Sequence, residues 1–105
     1  MKYNSTRNSE LNKNFDDIII EGLAPDGGLY MPKNWPKIDL PQILNNKNLK
    51  YYELTSIILK EFVGDTISRN DLEKIAQNTY KSFTNEKIAP LINFSDNKYV
   101  LELFH

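Results

Sequence analysis

Glu21-Gly22-Leu23-Ala24-Pro25-Asp26-Gly27-Gly28-Leu29-Tyr30-Met31-Pro32 is the stretch whose reading decides the fold of this chain. Gly22 and then Pro25 stop a helix coming from the left. Asp26-Gly27-Gly28 is a turn in which glycine takes positive φ without a Cβ clash. Leu29-Tyr30-Met31 continues extended, since Met31 precedes a proline and avoids the helical region. The order helix, tight turn, short strand within twelve residues signals a mixed fold.

On the amino-terminal side, Lys2-Tyr3-Asn4-Ser5-Thr6-Arg7 reads as a short strand of weak propensity, followed by polar residues. Asn14 is an N-cap, with Asp16 and Asp17 at the positive end of the helix dipole. Phe15, Ile18, Ile19 and Leu23 recur at helical spacing, so a helix spans about 15–22. On the other side, residues 32–50 carry three prolines and an asparagine cluster. This is irregular chain with one helical turn around Pro41-Gln42-Ile43-Leu44.

Tyr51 to Phe62 is amphipathic through Leu54, Ile57, Ile58 and Phe62, and Val63-Gly64-Asp65 stops it. Ser68 caps a third helix, with Asp71 in the acid position of a capping box. Leu72, Ile75, Ala76, Thr79, Tyr80 and Phe83 form its inner face. Ile88 to Phe94 and Tyr99 to Phe104 flank the turn cluster Ser95-Asp96-Asn97-Lys98, which predicts an antiparallel hairpin. The expected architecture is α+β: one small domain over residues 1–105, with about three helices packed on short strands and a C-terminal antiparallel hairpin. About a dozen buried apolar side chains at roughly 1.5–3 kcal/mol each would offset the chain entropy narrowly.

Composition removes several function classes. The chain has 105 residues, no cysteine and a net charge of −1. Disulfides, thiolate metal sites and cysteine nucleophiles are excluded. The lone histidine, His105, rules out a histidine-based metal cluster. A near-neutral chain without a basic patch is not expected to bind nucleic acid, and tyrosines at 51, 52 and 80 read as core or interface rather than stacking platforms. Residues 1–14 lack the apolar core of a signal peptide, and no apolar run is long enough to cross a bilayer. The expected location is cytoplasmic, with no membrane partner.

The motifs also carry a family resemblance. Tyr3 with Ser5-Thr6-Arg7, the 21–32 string, Tyr51 with Glu53-Leu54, Phe62 with Gly64-Asp65, Ile67, Asp71-Leu72, Tyr80 with Phe83, Pro90-Leu91 and Leu101 to His105 stand in the order of the longer threonine synthases. The chain resembles the amino-terminal domain of that family. In the family, glycine usually follows Ser-Thr-Arg; here Asn8 does, and Asn tolerates positive φ better than most residues.

The resemblance implies an enzyme of the tryptophan-synthase-β fold type. It implies pyridoxal phosphate, and conversion of O-phosphohomoserine and water to threonine and phosphate. A lysine holds that cofactor, and the ring acts as an electron sink. In the family this lysine lies in a Phe-Lys-Asp that follows the segment beginning Gly-Pro-Thr after Phe104-His105. The glycine-rich phosphate loop lies beyond as well. The cofactor domain is thus expected to be the partner of this region, which alone would bind no pyridoxal phosphate and be inactive. The alternative is a free-standing binding or regulatory module derived from the same domain.

Three candidates remain within the chain. Ser5, Thr6 and Arg7 offer two hydroxyls and a guanidinium, suited to a substrate phosphate or carboxylate; the competing reading is a strand end whose arginine pairs locally. Asp26-Gly27-Gly28 is either a phosphate nest or a structural turn, and the absence of a following helix favours the turn. His105 titrates near neutrality but, as the last residue, is expected to fray. Lys87 and Lys98 read as solvated charges near the hairpin. A severed domain is also expected to expose an apolar patch.

Overall fold

The computed structural model describes residues 1–105. Three strands and a short helix come first. β1 (Tyr3–Ser5) lies between β2 (Asn8–Lys13) and β3 (Tyr30–Pro32), both antiparallel to it, with α1 (Phe15–Glu21) connecting β2 towards β3. Asp17 Oδ2 accepts from the Asn14 N–H at 3.1 Å, one half of a capping box. The Asn14 side chain turns away to accept from Lys2 Nζ at 2.7 Å. Gly22, at φ 72°, closes α1 by donating to the Ile18 carbonyl.

β2 is a strand where the sequence shows only a largely polar run of residues. Its residues carry no apolar alternation, and mostly stand exposed. Backbone pairing to β1 holds it instead, with a bulge between Tyr3 and Ser5. Asn12 takes φ 51° and donates its N–H to the Asn4 side chain at 3.0 Å. Asn8 opens β2 without positive φ, and its side chain accepts from the Glu10 N–H at 2.9 Å. The turn therefore does not depend on glycine at this position.

The helical half follows. α2 (Leu40–Asn45) is a six-residue helix at the expected turn, so the helices number four rather than about three. Asp39 caps it, accepting from the Gln42 N–H at 3.0 Å. α3 (Tyr51–Val63) packs against α4 (Arg69–Tyr80). Ser68 accepts from the Asp71 N–H at 3.1 Å, as its capping pattern predicts. Leu72 and Ala76 of α4 are buried, whereas Ile75 is half in solvent. Ser56 is wholly buried on α3, donating to the Glu53 carbonyl at 2.7 Å. Phe83 lies beyond the end of α4 and makes an edge-on contact with Tyr80.

β4 (Leu91–Ser95) and β5 (Lys98–Leu101) form the hairpin as a second, separate sheet. Asn97 takes the left-handed conformation at φ 57° in its turn. The hairpin ends at Leu101 rather than Phe104, and every residue of both strands is exposed.

The core is therefore smaller than expected. Five hydrophobic residues are buried: Tyr3, Ala24, Val63, Leu72 and Ala76. α3 and α4 bury their faces against each other rather than on a common sheet, and α1 and α2 bury no residue. Tyr3 bridges the two halves, donating its hydroxyl to the Phe62 carbonyl at 2.7 Å while its ring meets Phe15. The radius of gyration is 16.4 Å, against about 13 Å for a compact chain of this length. Leu91, Phe94, Leu103 and Phe104 are each more than 60% exposed, so large apolar side chains stand in solvent on and beside the hairpin.

Candidate functional site: two interlocked turns

The β1–β2 turn and the Asp26 turn interlock. Ser5 is buried, and its Oγ donates to Asp26 Oδ1 at 2.7 Å while accepting from the Arg7 N–H at 3.1 Å. The same Asp26 oxygen accepts from the Gly28 N–H at 2.8 Å. Thr6 Oγ1 accepts from the Leu29 N–H at 3.0 Å, and the Thr6 N–H donates to the Leu29 carbonyl at 2.9 Å. Arg7 Nη1 donates to the Asp26 carbonyl at 3.0 Å.

The glycines make this approach possible. Gly27 needs its freedom at φ 74°, and a Cβ there would stand 2.9 Å from Arg7 Nη1. Gly28 is needed for space: a Cβ would lie 2.0 Å from Ser5 Oγ. Both glycine amides are occupied, Gly27 by the Ala24 carbonyl and Gly28 by Asp26. The turn thus satisfies itself and does not form an open anion nest.

The structure brings Ser5, Thr6 and Arg7 together with Asp26 but gives them unequal freedom. Ser5 is committed on both sides of its hydroxyl. Thr6 and Arg7 are exposed. An arginine side chain carries five N–H donors, so Arg7 retains donors beyond the one held by Asp26. The sequence alone did not identify Asp26 as the shared acceptor. Its signal was present, because an Asp two residues before a glycine commonly accepts from that glycine's backbone N–H.

Asp26 is held below the usual carboxylate range, first by the Ser5 hydroxyl, then by the Gly28 N–H and by Arg7. A carboxylate with a depressed folded pKa stabilises the fold above its unfolded pKa. That contribution disappears as pH falls through the folded value. The wild type is therefore expected to lose stability more steeply than Asp26→Asn as pH drops below about 4, measured by urea midpoints across that range. Parallel curves would contradict this role.

A second polar cluster ties α1 to the sheet. Glu21 accepts from Lys13 Nζ at 2.5 Å and from the Tyr30 hydroxyl. The hydrogen bond to Glu21 is the main cause that pushes the Tyr30 hydroxyl up to about 12. Glu21 itself is lowered, chiefly by Lys13. His105 is half-buried rather than frayed: Nε2 lies 2.8 Å from Glu102 Oε2, and its carbonyl accepts from Thr84. Lys87 and Lys98 are exposed.

This three-stranded sheet, helix pair and hairpin match a known protein architecture. The threonine synthase N terminus family matches residues 2–80, and the chain belongs to that family. Threonine synthase from Pseudomonas aeruginosa is 42% identical over 105 residues, covering all of this chain and 22% of that protein. The Saccharomyces cerevisiae threonine synthase is 32% identical, with 98% of this chain and 21% of the relative covered. Among solved structures, a pyridoxal-phosphate-bound threonine synthase from Brucella melitensis superposes with a TM-score of 0.87 at 37% identity. That match covers the whole chain and 23% of the other. The chain thus spans about a fifth to a quarter of the length of these relatives.

Pyridoxal phosphate requires a lysine amine beside a phosphate cradle. Lys13 and Lys60 are the two lysines that are not exposed. Lys13 is bound to Glu21, and Lys60 Nζ donates to the Gly64 carbonyl at 2.5 Å and the Ile67 carbonyl at 3.2 Å. Both amines are therefore engaged within the fold. No helix is long and apolar enough to cross a membrane.

Proposed function

We propose that residues 1–105 form the amino-terminal domain of a threonine synthase. The whole enzyme converts O-phosphohomoserine and water to threonine and phosphate in the cytoplasm. The observation that carries this reading is the 42% identity to a threonine synthase across the full 105 residues. Pyridoxal phosphate, held by the rest of such an enzyme, would supply the electron sink. This domain alone binds no cofactor and is inactive. Its exposed hairpin docks on the cofactor domain, covering the apolar side chains that the fold leaves in water. Ser5, Thr6 and Arg7 form the substrate-facing end: Ser5 fixes the turn, and Thr6 with the free donors of Arg7 meets a phosphate or carboxylate.

The test joins this chain to the complementary portion of the Pseudomonas aeruginosa enzyme. The joined protein is expected to form threonine from O-phosphohomoserine, and the 105-residue chain is expected to form none. Turnover by the chain alone, or an inert but folded and cofactor-loaded chimera, would refute the assignment. In the active chimera, Arg7→Lys is expected to raise KM by roughly tenfold or more, the loss of a hydrogen bond to a charged group. An unchanged KM would remove Arg7 from the substrate.

A further inference from the structure

A cleft between the start of α3 and the loop after α4 is not used by the turn pair. It is an open cleft of about 490 Å³, within the range of roughly 300–1,000 Å³ seen for small-molecule sites. Its floor is aromatic. Tyr51 stands edge-on to Tyr80 at 5.0 Å between centroids, and Tyr80 edge-on to Phe83 at 5.1 Å. An aromatic guest would find ring edges and faces there in the geometries that aromatic pairs prefer.

Its charges are not consumed by the fold. Lys50 and Lys81 both line the cleft, and neither forms an ion pair. Lys50 Nζ stands 5.9 Å over the Tyr52 ring, and Lys81 Nζ donates to the neutral Asn78 amide at 2.9 Å. Glu86 is the single acid on the lining, which leaves an excess of positive charge beside an apolar floor.

The outer wall is built against local preference. Ile88 adopts φ 64°, a left-handed conformation unfavourable for a β-branched residue. It is held there by donation of its N–H to the Asn85 carbonyl at 2.9 Å, while Asn85 Oδ1 accepts from the Lys87 N–H at 2.9 Å. Such outliers concentrate at ligand clamps and binding sites. Here the strained loop forms the wall facing α3.

We infer that this cleft binds a small carboxylic acid carrying an aromatic ring, with the ring on Tyr51, Tyr80 and Phe83 and the carboxylate between Lys50 and Lys81. The inference does not depend on the reaction proposed above, since it concerns residues and a ligand class that the turn pair does not share.

The experiment titrates the isotopically labelled chain with indole-3-acetate and follows backbone amides by NMR. Saturable shifts are expected at residues 50–52 and 80–88. The neutral analogue indole-3-acetamide is expected to bind roughly tenfold more weakly or worse. The double substitution Lys50→Gln, Lys81→Gln should cost a similar factor; both lysines are exposed, so unchanged amide shifts elsewhere will verify the fold. No saturable shift up to about 10 mM, shifts confined to the hairpin, or equal binding of the neutral amide would each overturn the inference.

Discussion

Replacing Gly28 with alanine is expected to destabilise the chain by about 3 kcal/mol or more, read from urea denaturation. The added Cβ would lie 2.0 Å from Ser5 Oγ and 3.0 Å from both Asp26 Oδ1 and Thr6 Oγ1. None of these atoms can retreat without cost. Ser5 Oγ is buried and bonded to Asp26, and Thr6 Oγ1 holds the Leu29 N–H. Accommodating the methyl group would part the two turns and release Asp26 from Ser5. Typical domains are stable by only about 5–15 kcal/mol, and with five buried hydrophobic residues this chain belongs near the low end. Gly22→Ala separates sterics from backbone preference. Gly22 has φ 72° and ψ −64° with open space around it, so only the backbone cost of a side chain in a sparsely populated region applies, about 1–3 kcal/mol. If the two variants lose the same stability, close packing is not what makes Gly28 necessary.

Tyr3→Ala is expected to cost about 3–5 kcal/mol, the usual range for emptying an aromatic core position. Tyr3 is 5% exposed, has its ring centroid 6.2 Å from that of Phe15 and holds the Phe62 carbonyl through its hydroxyl. It is the buried residue through which the sheet reaches the C-terminal end of α3. Tyr3→Phe keeps the ring and removes the bond, and is expected to cost about 1 kcal/mol. A phenylalanine variant as damaged as the alanine one would assign the whole effect to the hydroxyl. Amide hydrogen exchange adds a second readout. In Tyr3→Ala the amides of residues 3–5 and 30–31 should lose protection more than those of α4, because α4 retains its packing on α3.

Three of the four helices were legible in the sequence because residues at their ends announce them, while α2 read only as one helical turn. Asn14, Ser68, Gly22 and Gly64 all act where pattern reading places them, and the stripes of α3 and α4 follow a 3.6-residue period. The hairpin was legible from two apolar runs about a turn cluster. β2 was not. Asn8-Ser9-Glu10-Leu11-Asn12-Lys13 is an edge strand with solvent over most of its side chains, so no alternation marks it, and only its backbone partner makes it a strand. Packing was legible least. The stripe on α4 predicts that Ile75 is inside as much as Leu72, yet the structure buries only the latter. Periodicity identifies an apolar face; which part of that face meets a neighbour depends on the neighbour.

The candidate site was half visible. Ser5, Thr6 and Arg7 stand out as chemistry-bearing residues, and the Asp26 turn stands out as a turn. Their union does not, because the two segments lie 21 residues apart and meet only through the pairing of β1 with β3. The division of labour between a committed Ser5 and an accessible Arg7 depends on hydrogen bonds that no local pattern encodes.

The hairpin has a consequence for how the protein behaves before it is fully assembled. A two-strand ribbon has two outer margins, and backbone groups along both remain able to recruit another strand. Short apolar strands in that condition tend to cross-pair between molecules as concentration rises. Lys98 is the one charged side chain within the ten residues from Leu91 to Val100 apart from Asp96, so little electrostatic repulsion stands in the way. Newly made copies therefore face a window of self-adhesion, and dilute synthesis or rapid cover of this ribbon should raise the yield of well-behaved material.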